Sequence, residues 1–330
     1  TMTNPYKNIQ EEDVYTWPNP HFPFKCLLNE DKSRVFILEN ISHNYKWLKR
    51  YQDRIRPTDF FFVTLGWHLS KHLASQGYAI LDQLNLHIEN FFILYNSPEE
   101  KSNGEEAGLH GDVINHNAWI DAGVFTPLDV PKKYKALYVA RPTDFKRHYL
   151  AGDIKDLALA AGGFNHRNLR AELPCAKNDP FKFLSKRELC RLMNESYCGL
   201  CLSREEGACY SSSEYLLAGI PVVSTKSKGG RDIWYNEYNS ILCEDTPTAV
   251  AQAVEDCCSR EWDPKLIRSL HLAQSHYYEK KFIAHLQRVA DQFCEIELDA
   301  AKIFKEKFNW YCNENSNACP HEDYLGELFK

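Results

Sequence analysis

No Asp-x-Asp pair occurs anywhere in the 330 residues, so a divalent metal held by paired carboxylates is not expected and no metal-binding residue is assigned. The chain also lacks any apolar run of the roughly 18 residues that would mark a membrane-crossing helix, and none is predicted. Its opening, Thr1 to Pro20, is polar and rich in proline, without the basic start and apolar centre of a secretory leader. Excess positive charge is missing as well. With 39 Lys and Arg against 45 Asp and Glu, the formal net charge is −6, which argues against nucleic acid or an anionic membrane as partner. Internal repeats and low-complexity tracts are absent. These gaps leave a soluble globular chain, expected in the cytoplasm, whose 44% hydrophobic and 25% charged residues are ordinary for packed domains.

Twelve cysteines invite a disulfide or zinc reading, but cytosolic thiols stay reduced. Cys198 and Cys201 alone have metal-like spacing, and no second pair completes a zinc set. Both also fit as small hydrophobes on a buried strand, and that reading is preferred.

From Val35 onward, short apolar runs alternate with helical stripes. Strands are expected at Val35–Leu38, Asp59–Thr64, Phe91–Tyr95, Ala136–Ala140, Tyr197–Leu202 and Pro221–Thr225, with a further one over Asp112–Asn117. Helices are expected over Tyr45–Ile55, His68–Ser75, Asp153–Ala161, Lys186–Asn194 and Ser211–Ala218, with two or three over residues 247–293. Residues 1–33 are expected to be irregular, and the tail from Glu295 to start helical and end irregular. Alternating strands and helices imply parallel sheets in an α/β architecture. Two such runs joined near Thr126–Lys133 imply a short first domain over 1–130, a second over 131–300, and a tail over 301–330 that packs back on the first.

The densest chemistry lies in Ser203-Arg-Glu-Glu-Gly-Ala-Cys-Tyr-Ser-Ser-Ser-Glu-Tyr-Leu-Leu-Ala-Gly-Ile-Pro-Val-Val-Ser-Thr225. Glu206 falls in the loop after a strand, and Glu214 in the first turn of the following helix. A carboxylate can accept two hydroxyl hydrogen bonds and so suits a sugar diol. Serines 211–213 can cap that helix, and the amides of Gly207, Ala208, Cys209 and Tyr210 can meet an anion at its start. Arg141 and Lys146, just past another strand, are suited to phosphate, as is the Gly229-Gly230 loop. The plain alternative for each charge is a solvated surface position.

The spacing of Glu206 and Glu214 resembles the E-x7-E motif of retaining GT-B glycosyltransferases, family 4 in particular. Gly219, Pro221, Val222, Val223 and Thr225 resemble that family's G-x-P-V-V-x-T. Tyr138-Val-Ala-Arg-Pro-Thr-Asp-Phe-Lys146 resembles a strand followed by G-R-x4-K, with Ala140 replacing the glycine. Leu184-Ser-Lys-Arg-Glu-Leu189 is similar to the segment near the nucleotide base. Lys228-Gly-Gly-Arg-Asp-Ile233 and Asn239-Ser-Ile-Leu242 resemble G-G-x-x-E and N-G-x-L-V, with departures at Asp232 and Ser240. Order and spacing agree across residues 133–245.

The resemblance implies a GT-B fold of two Rossmann-like domains facing across a cleft. It implies a retaining, metal-independent hexosyltransferase with a nucleotide-sugar donor and no further cofactor. The acceptor is a glycan, lipid, protein or small molecule. Glu214 would hold the ribose, and Glu206 the transferred sugar. The family often has a first-domain histidine facing the donor sugar, and His68, directly after a strand, is the candidate; a structural histidine is the other reading. His110, His116 and Asn96-Ser97 are secondary candidates. Two rivals remain: an epimerase or phosphorylase of the same fold, and a non-catalytic nucleotide-sugar-binding module.

Overall fold

The computed structural model describes residues 8–21, 23–162, 169–293, 297–307 and 322–330. The chain divides into two compact units, Thr1–Trp119 with Tyr277–Lys330, and Ile120–His276.

The first unit holds a five-stranded sheet in the order β1-β2-β3-β4-β5. The strands are β1 (Lys25–Asn29), β2 (Arg34–Glu39), β3 (Phe60–Thr64), β4 (Phe91–Tyr95) and β5 (His110–Val113). β1 runs antiparallel to β2, and the remaining pairs are parallel. Every residue of β3 is buried, as expected of a parallel strand covered on both faces. On one face Phe61 stacks between Phe36 and Phe91 at centroid distances of 5.1 and 4.5 Å. On the other, Phe62 meets Phe282 at 4.9 Å. Helices α1 (Tyr45–Tyr51), α2 (Lys71–Gln83) and α3 (Pro98–Glu106) connect the strands.

The second unit's sheet is wholly parallel, in the order β10-β9-β8-β6-β7. Its strands are β6 (Tyr134–Val139), β7 (Leu157–Ala160), β8 (Ser196–Cys201), β9 (Val222–Thr225) and β10 (Ser240–Cys243). Helices α4 (Leu169–Glu172), α5 (Lys186–Asn194), α6 (Tyr210–Leu217) and α7 (Pro247–Ser259) lie within it. The chain leaves β6 to form β7 on one side, then crosses back to place β8 on the other. The gap between the carboxyl ends of β6 and β8 is therefore a topological switch point, where open α/β sheets bind ligands. The long helix α8 (Pro264–Phe293) begins in this unit and ends in the first. Two short helices follow, α9 (Ala300–Lys307) and α10 (Glu322–Leu328). Just past α10, Phe329 packs on Phe36, Trp47 and Tyr51. Among the described residues no helix is long and apolar enough to cross a membrane.

Several elements differ from the sequence reading. The expected helix over Asp153–Ala161 is instead the buried strand β7; a four-residue apolar run does not distinguish the two by periodicity. Asp156 enters it with φ 54, and Gly163 lies outside the described residues. Helix α2 starts at Lys71 and runs through Gly77, because Gly77 keeps a helical backbone. Residues 25–29 form β1, and the strand expected to reach Asn117 ends at Val113. The tail ends in helix α10, not irregularly. Cys198 and Cys201 are both buried in β8, but Cys294, Cys312 and Cys319 lie outside the residues whose side chains are described.

Candidate functional site

The loops leaving β6 and β8 meet at the switch point of the second unit. After β6 a short turn over Asp144–Lys146 ends at Arg147, whose φ is 51. The Tyr138 hydroxyl donates to the Lys146 carbonyl and fixes this turn. Buried Arg147 anchors it further, donating to the Leu202 carbonyl at 2.7 Å, Asp245 Oδ2 at 2.7 Å and Thr225 Oγ1 at 2.9 Å. One guanidinium thus ties the β6 loop to the ends of β8, β9 and β10, and the Lys146 side chain is aimed at the β8 loop.

There it meets Glu206. The two form an ion pair through Lys146 Nζ and Glu206 Oε2, with side chains 13% and 7% exposed. The other carboxylate oxygen accepts from the Ser203 hydroxyl and from Arg231 Nη1 at 2.9 Å. Burial alone would raise the Glu206 pKa; the Lys146 and Arg231 charges and the hydrogen bonds outweigh it and hold the group at about 2. Glu206 is therefore an anion at any physiological pH.

Arg231 is the residue the sequence reading passed over. Its side chain is fully buried. It donates to the carbonyls of Cys201, Ser203 and Thr225 at 2.9–3.0 Å, to Ser203 Oγ at 2.6 Å and to Ser224 Oγ at 3.2 Å. A single arginine between a glycine pair and Asp-Ile-Trp was its only signal. The glycine pair itself has a steric reason. Gly229 has φ 112, and a Cβ there would stand 1.9 Å from the Glu206 carbonyl. The two loops are zipped beside it: Glu206 N donates to the Lys228 carbonyl at 3.2 Å and Lys228 N to that of Arg204 at 2.9 Å.

Glu214 lies on α6, which opens at Tyr210, so the glutamate is the fifth helical residue and not in the first turn. Serines 211–213 lie inside the helix and do not cap it. Cys209 is the N-cap, with φ 59 and no side-chain cap bond. Burial, with Cys209 adding and Lys186 opposing, lifts Glu214 to about 7. Lys146 and Glu206 are thus brought together with Gly229, while Gly207, Ala208, Cys209 and Tyr210 form the stretch joining Glu206 to α6. Arg141 is exposed, and none of the contacts of the Glu206 network reaches it.

In the first unit His68 is 2% exposed. Its Nδ1 lies 3.5 Å from Glu100 Oε1, and the same carboxylate accepts from the amides of Leu69 and Asn96 at 3.1 and 2.7 Å. His116 is fully buried, and burial lowers its pKa to about 4; His110 is exposed.

Residues 146–260 match the family model described as glycosyl transferases group 1. Over that stretch the chain is similar to a glycosyltransferase domain. The match opens on Lys146 and includes Glu206, Glu214 and Arg231. Sucrose-phosphate synthase of Thermosynechococcus elongatus is similar in structure, with a TM-score of 0.55, 14% identity, and coverage of 83% of this chain and 73% of that one. HepE of Anabaena, solved in complex with UDP, is similar at a TM-score of 0.51 and 15% identity over 75% and 71% of the two chains. The N-terminal domain of trehalose-6-phosphate phosphatase from Candida albicans is similar at 0.53 and 12% identity, covering 77% and 71%. At these identities the likeness is one of fold, α/β with parallel sheets of GT-B type. No curated protein sequence matches the chain. The domain match supports a transferase that takes a sugar from a nucleotide-sugar donor.

Proposed function

We propose that the protein is a retaining hexosyltransferase that moves a sugar from a nucleotide-sugar donor to a hydroxyl acceptor without a metal. The observation that carries this is the Lys146–Glu206 pair at the switch point. Lys146 is held on a carboxylate that a donor's diphosphate can replace. When the diphosphate takes Lys146 Nζ, Glu206 Oε2 is released to accept from a hydroxyl of the transferred sugar. Arg231 and Ser203 hold Oε1 throughout and keep the carboxylate aimed. Lys146, the amides at the start of α6 and the Gly229-Gly230 turn then stabilise charge on the departing diphosphate. Arg141, exposed on the β6 loop, is proposed as a second phosphate contact, and Glu214 as the acceptor of the ribose hydroxyls. For His68, burial and the Glu100 contact favour positioning of the Leu65–Ser70 loop over direct contact with the sugar. HepE was solved with UDP, so a uridine diphosphate sugar is the first donor to test.

The test is to incubate the purified chain with UDP-glucose, a panel of alcohol, phenol and glycan acceptors, and EDTA. Expected are a glycosylated product of unchanged anomeric configuration and free UDP. Glu206→Gln and Lys146→Ala should each lower turnover by about 10²-fold, as losses of charge stabilisation do. An epimerised nucleotide sugar would favour the epimerase reading. Donor binding without any product would favour a binding module. Loss of activity with EDTA and rescue by manganese would refute metal independence.

A further inference from the structure

The first unit contains a cavity of about 330 Å³ that the site above does not use. Asn40, Ile41, Ser42 and His43 line it just past β2, and Leu65 and Trp67 just past β3, on the side where α/β sheets take ligands, and its volume is that of a small-molecule pocket. Its floor is aliphatic, formed by Ile41, Val63, Ile93 and Leu109. Tyr15, Trp67 and His72 are among the residues at its polar and aromatic wall. Among the described residues no lysine or arginine lines it, whereas the Asp13 carboxylate does, so a phosphorylated or carboxylated ligand would meet like charge there.

A second observation comes from α2. Gly77 is buried in the middle of this helix and lines the cavity beside Ile41 and Leu109. Glycine inside a helix is less stable than alanine. Packing does not require it here. A Cβ would meet Ile41 Cδ1 at 3.4 Å and Leu109 Cδ1 at 3.8 Å, ordinary van der Waals distances. Nor does the backbone, since Gly77 is not among the positive-φ residues. Alanine would fit and would stabilise the helix; what glycine provides is volume in the floor.

We propose that this cavity binds a small, neutral hydroxyl compound with an apolar body, an aryl or medium-chain alcohol, and that Gly77 keeps its floor open. Resting on the transferase reading, that compound is the acceptor: the apolar body fills the floor and the hydroxyl stays toward the polar wall. The assignment excludes sugar phosphates as occupants.

Binding is measured by calorimetry on the full chain without donor, with 4-methylumbelliferone, 2-naphthol and octan-1-ol as probes and glucose 6-phosphate as the charged comparison. The wild type should bind at least one neutral probe and not glucose 6-phosphate. Gly77→Ala should weaken that probe at least five-fold while raising the melting temperature by about 2–4 °C, as a small gain in a domain of this size does. Gly77→Leu should abolish probe binding and leave UDP affinity unchanged. Failure of all three neutral probes, equal binding by Gly77→Ala, a lowered melting temperature in that variant, or preference for glucose 6-phosphate would overturn the proposal. The calorimetry contains no donor and tests the cavity alone; a probe that binds there but receives no sugar in the separate assay with UDP-glucose would count against the transferase reading and not against the cavity.

Discussion

Replacing Arg231 by methionine removes a fully buried cation of similar length and leaves everything it held. The carbonyls of Cys201, Ser203 and Thr225 lose their shared donor, and Glu206 keeps only Lys146 as a charged partner. Removing one member of a buried ion pair costs about 3–5 kcal/mol. For a domain of this size each kcal/mol shifts the melting temperature by about 2–4 °C, so a fall of roughly 10 °C is expected at neutral pH. The acid side gives an independent reading. In the native state Glu206 is held at about 2 against an ordinary 4.5. Its folded pKa is depressed, so the stability it contributes is present above pH 4.5 and disappears as pH falls toward 2. At about 1.4 kcal/mol per pKa unit this is on the order of 3 kcal/mol. Arg231→Met should therefore flatten the decline in melting temperature across pH 4.5 to 2, and Arg231→Lys should restore part of it by keeping the charge. Differential scanning calorimetry of the three proteins from pH 8 to pH 2 makes the comparison. A drop below about 3 °C at neutral pH, with an acid limb parallel to the wild type, would refute the clamp.

Glu214 should behave oppositely. Its folded pKa is raised to about 7 from 4.5, so stability is full below pH 4.5 and falls as pH rises to 7. Glu214→Gln should melt higher than the wild type at pH 8 and alike below pH 5. It should bind UDP about ten- to a hundred-fold more weakly, the loss of a charge-assisted contact; equal UDP affinity would remove Glu214 from the ribose. Gly229→Ala places a Cβ 1.9 Å from the Glu206 carbonyl at φ 112, so it should lower both the melting temperature and turnover with UDP-glucose. Wild-type values for both would show that the two loops are not zipped as described.

The parts of the fold legible in sequence were those where one face or both are apolar over several residues: β3, β4, β6, β8 and helices α1, α5 and α6. Strand β7 was not, because Leu-Ala-Leu-Ala satisfies either period, and β10 was not, because its Ser-Ile-Leu-Cys is half exposed. In the candidate site, Lys146, Glu206 and Gly229, which the structure brings together, stood in segments that resemble the family's motifs. What spacing does not encode is that an arginine thirty positions beyond Cys201 would fold back beneath the loop. Arg231 reaches Cys201, Ser203 and Glu206 across 25–30 positions of sequence, and a charged residue among apolar ones gives no clue to whether it faces water or the core. The serines of α6 misled for a related reason. They look like caps, but a left-handed Cys209 starts the helix one residue earlier and turns them inward.

The division of the first unit into two chain segments sets an order for folding. Leu325 and Phe329 are wholly buried, and Phe329 stacks against Phe36 of β2. During synthesis, the sheet made from residues 25–113 has to wait, with Trp47 and Tyr51 uncovered on one face and Phe62 on the other, until α8 and then Phe329 have been made. The second unit, continuous from Ile120 to His276, needs nothing that late. A nascent chain should therefore complete the sheet of its second unit first, reversing the usual amino-to-carboxyl order, and the interval before Phe329 is made is when the phenylalanine-rich strands are most exposed to chaperones and to aggregation.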